Sequence, residues 1–514
     1  GAVALRGATH SLVVAGLEEV ASGTILAGSP VGTIPDSVRV WLVAGRDHDG
    51  VPPAFVRATE LAAWESRLLD PGPLLGLDST RMPVPPPAEA LARRTDSYSG
   101  LQGHYYASPP QIERGWQEHL IDTRSRHYVD MVNNVTVLGH GHPRVAGAAA
   151  DQWRMLNTNS RFHYGGVADL SERLLATLPD SFDTVLLVNS GSEAVDLALR
   201  LTKAYTARGD VVCLSESYHG WTLASDAVST SLSDNPIAGS TRSDWVHVTT
   251  TPNAYRGPHR GPGAGSAYAA EALALLERLE RDGRPAGTFI AEPRQGNAGA
   301  IEVPEGYLAR VYDAVHAGGG VCISDEVQVG YGRQGDVFWG YEQHEGVVPD
   351  VITVAKAMGN GHPLGAVITR REIADALADQ GAFFSSAGGS TVSCRIGVEV
   401  LDVISDEGLQ ANAAEVGTHL GARLADLALR HPMIGAVHGR GLYQGVELVR
   451  DRVTLEPATE ETVAICDRML DLGVVVQPTG DRQNILKVKP PLCFTRESAD
   501  FFVATLDEVL TEGW

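Results

Sequence analysis

A chain of 514 residues is too long for one hydrophobic core, so two or three domains are expected. Its net charge of −22 argues against nucleic acid or an anionic membrane as the main partner. No apolar run reaches the roughly 18 residues of a spanning helix, and the opening GAVALRGATHSLVVAG shows no cleavable signal pattern. Five scattered cysteines, without metal-ligand or disulfide spacing, point to reduced core thiols in a cytoplasmic protein. In chain order, ASGTILAGSPVGTI (21–34) and SVRVWLVAG (37–45) alternate β-formers with turn residues and predict short strands; 53–70 reads as partly helical. MPVPPPAEAL (82–91) predicts an extended proline-rich joint and a domain boundary.

Beyond the joint, strands alternate with helices. The strand candidates are 183–189, 210–215, 287–292, 320–326, 350–355 and 364–369, with helices at 192–207 and 267–282 between them. That rhythm predicts a mostly parallel sheet with helices on its faces. The glycine- and proline-rich stretch 255–266 reads as an exposed excursion. From about residue 400, long helical patterns surround strands at 441–449 and 484–491, a smaller α+β domain. The expected division is a β-rich module at 1–82, a linker at 83–100, a leading segment at 101–165, a large domain at 166–400 and a small one at 401–514.

Open parallel sheets bind ligands at the carboxyl ends of their strands. The 183–189 strand runs into NSGSEA, where Gly191 and Ser192 open a helix and offer backbone N–H groups to an anion. The 320–326 strand delivers Asp325, and the 350–355 strand delivers Lys356 into a glycine-rich turn. Tyr218, in ESYHGW, adds a ring at the same edge. An anion cradle, a buried carboxylate, a flat aromatic and an amine are the set needed to hold pyridoxal 5'-phosphate. A lysine serving only as an ion-pair partner of Asp325 would leave the others unexplained. The histidines of GHGHP (139–143) read as structural, so no metal is expected.

NSGSEAVDLAL, SYHG, ISDEVQVGYGR and AKAMGNGHPLGAV, in this order, resemble the class III aminotransferases of the fold-type-I pyridoxal-phosphate enzymes. The resemblance implies that Lys356 carries the cofactor and shuttles protons, while Asp325 keeps the pyridine nitrogen protonated. Val327 and Tyr218 would pack the two ring faces, Gln328 would approach the phenolic oxygen, and Gly191 and Ser192 would hold the phosphate. A threonine of the partner subunit often completes the family's phosphate site; Ser386, in FFSSAGGSTVSC, stands at that position and keeps the hydroxyl. A homodimer is implied.

VNNVTVLGHGHP, LNTNSRFHY, YRGP, FWGYE and ILKVKPPLCFT are similar to the branch of alanine–glyoxylate-type aminotransferases and amino-alcohol phosphate phospho-lyases. This implies a small amine or amino acid as substrate, handled through an external aldimine and a quinonoid, then transamination or phospho-lyase-like elimination. Many class III transaminases place an arginine for the substrate carboxylate where Lys487 stands, and lysine lacks the bidentate fork. Arg161 and Arg256 are candidate anion ligands or plain ion-pair partners. Glu292, in IAEPRQG, keeps the Glu-Pro and Gln-Gly pairs of ordinary transaminases. β- or γ-replacement in a biosynthetic pathway, or a catalytically idle scaffold, are the alternatives. The stretch HSLVVAGLEEVASGTILAGSPVGTI is similar to the last strands of a lysostaphin-type metallopeptidase. VRVWLVA stands where the His-x-His ligand pair of that fold belongs, so a degenerate spacer or docking module is expected.

Overall fold

The computed structural model describes residues 85–514 and four short strands before them, at 2–6, 10–15, 39–44 and 68–69. It divides into two compact units. One comprises Gly1–Arg114, Leu120–Tyr128 and Asp471–Gly473; the other comprises Gly115–His119, Val129–Leu470 and Val474–Trp514.

In the first unit the four strands pair in chain order as an antiparallel meander. The strand expected at 37–45 is Arg39–Ala44, and 21–34 lies outside the described residues. Leu68 and Leu69 correct the helical reading of 53–70 at its end, since they pair with Val43 and Leu42; the rest of that stretch lies outside the described residues. A second correction falls on the linker. Pro87–Ser97 is a helix rather than an extended joint. Proline is tolerated in a first helical turn because its missing N–H has no intrahelical partner to lose, and the following AEALARR are strong helix formers.

The second unit is built on a seven-stranded sheet in the order Val246–Thr249, Val211–Leu214, Thr288–Ala291, Val321–Asp325, Val351–Val354, Gly365–Thr369, Thr184–Val188. All run parallel except Gly365–Thr369, which is antiparallel to both neighbours. The strand period of two assigns the faces. Val212, Leu214, Phe289, Ala291 and Cys322 point to the helices Ala264–Arg281 and Tyr307–Ala317. Val211, Cys213, Ile290, Val321 and Ile323 point to the helix Gly191–Thr206. Both faces are covered, which is why these strands read as continuous apolar runs. The Val246–Thr249 strand is an addition to the six expected.

A second, antiparallel sheet follows the order Ile434–Arg440, Tyr443–Asp451, Ile485–Val488, Gln477–Thr479. The long helices Leu409–Arg430 and Arg496–Glu512 pack on each other, and the first also packs on Ile434–Arg440. The 255–266 stretch is exposed at Pro258 and from Arg260 to Gly263, but it turns inward at Tyr255–Gly257. Gly257 closes against Tyr268, whose hydroxyl donates to Asn253 O at 2.9 Å. Among the described residues no helix is long and apolar enough to cross a membrane. His316, Cys322 and Asp350 are the one described group with metal-ligand chemistry. Asp350 already accepts from Cys322 N and Arg370 Nη1 and pairs with His316, each at 2.7 Å, so the cluster reads as a buttress of the sheet.

Candidate active site

Carboxyl ends of the sheet strands surround a cavity of about 360 Å³. Gly191, Ser192, Tyr218, Glu292, Asp325, Val327, Gln328 and Lys356 all line it. One wall starts where the Thr184–Val188 strand passes into the 16-residue helix Gly191–Thr206. Ser190 caps that helix, its Oγ accepting from Glu193 N at 3.2 Å. Glycine is required at its first turn, because a Cβ on Gly191 would lie 2.9 Å from Val327 Cγ1. Ser192 Oγ accepts from Trp221 N at 3.2 Å. Opposite it, Gly220 has φ +146°, and a Cβ there would lie 2.6 Å from Ser192 Oγ. Two glycines and a helix terminus therefore leave a concave cup with backbone N–H groups exposed to an anion.

The central strand Val321–Asp325 brings in Asp325. Its Oδ1 accepts from Val327 N at 3.1 Å and Thr353 Oγ1 at 3.3 Å, and its Oδ2 lies 2.7 Å from His219 Nδ1. His219 is buried, and its Nε2 has no hydrogen-bond partner among the described residues. The neighbouring Glu326 turns away and accepts from Gly340 N, Tyr341 N and Ser324 Oγ. Burial raises its carboxyl to about 7.

Lys356 begins a turn directly after the Val351–Val354 strand and sits at φ +39°, a region that residues with a Cβ seldom adopt. Asn360 secures that turn, accepting from Leu138 N at 2.8 Å and donating to Gly139 O at 3.2 Å. Burial lowers the Lys356 ammonium, while Asp325 and Glu292 pull the other way. Glu292 accepts from Gly296 N at 3.0 Å through one oxygen, and its Oε1 has no partner among the described residues; burial holds its carboxyl above the usual range, against the pull of His219.

Other expected residues lie elsewhere. Lys487 does not line the cavity, but it is half-buried and within electrostatic reach of Lys356. Arg161 is exposed, its guanidinium 3.9 Å from the centre of the Phe384 ring, and Ser386 is exposed nearby in sequence. Arg256 is an ion-pair partner, bonded to Glu216 and 3.6 Å from Glu447. Each of the GHGHP histidines finds a carboxylate that its own motif lacks. His140 meets Asp130 at 2.7 Å, and His142 meets Glu407 at 3.1 Å.

Sequence reasoning missed His219, although SYHG contains it, and it missed Lys489. Lys489 was detectable, because alternation places Ile485, Lys487 and Lys489 on one face of the strand. Its Nζ donates to Gly296 O at 2.9 Å and Gln328 Oε1 at 3.2 Å.

The class-III aminotransferases match residues 105–510. The chain belongs to the class-III aminotransferase family. An alanine–glyoxylate aminotransferase 2-like protein of Drosophila melanogaster is 41% identical over 414 residues, 79% of this chain and 83% of that one. A phospholyase from Arthrobacter, solved in complex with phosphoethanolamine, is 32% identical with a TM-score of 0.78, covering 82% of this chain and 99% of that one. An amine transaminase from an uncultivated Pseudomonas species, solved with pyridoxal phosphate bound, is 30% identical with a TM-score of 0.73, covering 80% and 98%. The chain is thus a fold-type-I, pyridoxal-phosphate-dependent enzyme. The glycine cup, the Asp325 carboxylate and the half-buried Lys356 amine fit that cofactor's phosphate, ring nitrogen and aldehyde.

Proposed function

We propose that this class-III aminotransferase acts on a small phosphorylated amine and eliminates its phosphate. Lys487 carries this reading. Its Nζ has no hydrogen-bond or ion-pair partner among the described residues. Burial, and then the nearby Lys356, lower it to about 8. An ammonium so placed gains most from an anion carried in by the substrate. The likeness to the Arthrobacter phospholyase supports the same reading.

Bound pyridoxal phosphate supplies an aldehyde for the substrate amine and a ring that takes up the electron pair of a Cα–H bond. Lys356 Nζ would anchor the cofactor aldehyde and, as a free amine, would take up the substrate's Cα proton. Asp325, held by three donors, keeps the pyridine nitrogen protonated. Gly191 and Ser192 would bind the cofactor phosphate, Val327 and Tyr218 would pack on the ring, and Gln328 would reach its phenolic oxygen. Lys487 neutralises the substrate phosphate, which departs from Cβ with the electrons of the broken C–O bond. Lys356, on returning to its place, would release the enamine, which takes back a proton at Cβ and is hydrolysed by water to an aldehyde and ammonia.

Transamination is the second reading, favoured by Glu292 and its EPRQG context. The working unit is a homodimer in which Ser386 reaches the partner's cofactor phosphate, and Arg161 borders that segment. Five free thiols, four of them buried, support a cytoplasmic location. The N-terminal strands serve as a spacer or docking module. The deciding experiment supplies pure, cofactor-loaded protein with amines and phosphorylated amines and measures phosphate, ammonia and amino transfer separately. Phosphate and ammonia released in equal amounts support elimination; amino transfer with phosphate retained overturns it in favour of transamination.

A further inference from the structure

Lys489 is about 1% exposed, and the hydrogen bonds recorded for its ammonium go to two neutral oxygens, Gly296 O and Gln328 Oε1. It also lies 4.3 Å from the centre of the Tyr443 ring, a cation–π contact. Burial, with Lys487, Lys356 and Arg333 nearby, disfavours an ammonium there and holds its pKa well below the ordinary lysine value, while Glu292 pulls the other way. A hydrocarbon side chain of similar length would avoid that cost, so the ammonium calls for an explanation in terms of what it holds.

What it holds is one end of Gln328. The Gln328 Oε1 accepts from Lys489 Nζ at 3.2 Å and from Asn134 Nδ2 at 2.9 Å. A flipped carboxamide would turn its NH2 group toward both donors and accept from neither. The Nε2 has no partner among the described residues, and Gln328 lines the cavity.

We propose that Lys489 is a positioning residue: with Asn134 it fixes the Gln328 carboxamide so that Nε2 is offered to the phenolic oxygen of the cofactor. This rests on the reading of Gln328 given above. A donor at that oxygen competes with the cofactor's own N–H for its negative charge. Losing the donor therefore raises the pH midpoint of the bound cofactor's visible band and weakens cofactor binding, by roughly three- to tenfold for one neutral hydrogen bond.

The test compares Gln328→Leu, Lys489→Met, Asn134→Ala and the doubles of each of the last two with Gln328→Leu. Two quantities are measured: the pyridoxal-phosphate dissociation constant and the pH midpoint of the visible band. Lys489→Met and Asn134→Ala should each shift both quantities in the direction of Gln328→Leu, and neither should add to it in the double. If Lys489→Met shifts the midpoint equally with and without Gln328, the lysine acts by its charge alone and the positioning role is wrong. If Gln328→Leu shifts both quantities while Lys489→Met and Asn134→Ala shift neither, the positioning role again fails and the reading of Gln328 stands. If Gln328→Leu itself changes nothing, the reading of Gln328 fails and the positioning role goes with it. Asn134→Ala alters no charge, so it carries the same test should Lys489→Met not fold.

Discussion

Asp325 is held by three donors, and the 2.7 Å pairing with His219 sets the direction of its second oxygen. Replacing that carboxylate with an amide keeps the shape but puts an NH2 group where donors already point. Asp325→Asn should still take up cofactor through the glycine cup, with turnover reduced by roughly 10²-fold or more. Single-turnover kinetics on the loaded variant check this, and near-normal turnover would assign Asp325 another task. The proposed role of Lys487 gives a pH signature. A lysine is charged below its pKa, and burial lowers this one to about 8, so its charge is lost as pH rises through about 8. The kcat/KM for a phosphorylated amine should fall across that range, while kcat falls at higher pH because bound phosphate holds the proton on. Lys487→Met should remove the alkaline fall and lower kcat/KM throughout.

At the scale of elements, the proposed phosphate cup exists because the helix that follows the Thr184–Val188 strand opens on a residue without a side chain, Gly191. A methyl group on Gly191 would sit 2.9 Å from Val327 Cγ1 and 3.1 Å from Cγ2. Either the helix start or the valine must move, and overpacking of this kind costs about 1–3 kcal/mol. Gly191→Ala should lower thermal stability and weaken cofactor binding by roughly tenfold. Fluorescence titration with pyridoxal phosphate, read beside a melting curve of the apoprotein, checks both; unchanged affinity would mean the cup tolerates a side chain.

For the whole molecule, the proposed homodimer is the variable to test. Ser386 is exposed and does not line the cavity of its own chain. A hydrogen bond to a charged phosphate contributes about 1.5–3 kcal/mol, so Ser386→Ala should weaken cofactor binding by roughly one to two decades. Mixed dimers of Ser386→Ala and Lys356→Ala subunits reveal the direction of the contact. If the serine acts across the interface, the site that keeps Lys356 receives a normal Ser386 and binds tightly. If it acts within its own chain, no tight site forms. Cofactor titration of the isolated mixed dimer is the measurement.

Sequence alone located the strand ends that carry Gly191, Asp325 and Lys356, because a strand covered on both faces is apolar along its length and its last polar residue announces itself. Sequence pattern also marked strands at 441–449 and 484–491; their antiparallel pairing came from the structure. It placed Pro87–Ser97 wrongly, since proline signals a break unless its place in the first turn is known. Tertiary structure decided the partners. His219 meets Asp325 across 106 residues of chain, Lys489 meets Gln328 across 161, and the GHGHP histidines meet Asp130 and Glu407. Periodicity reports whether a residue is buried. Which atom it meets is set by how the strands cross over, and no local pattern along the chain records that.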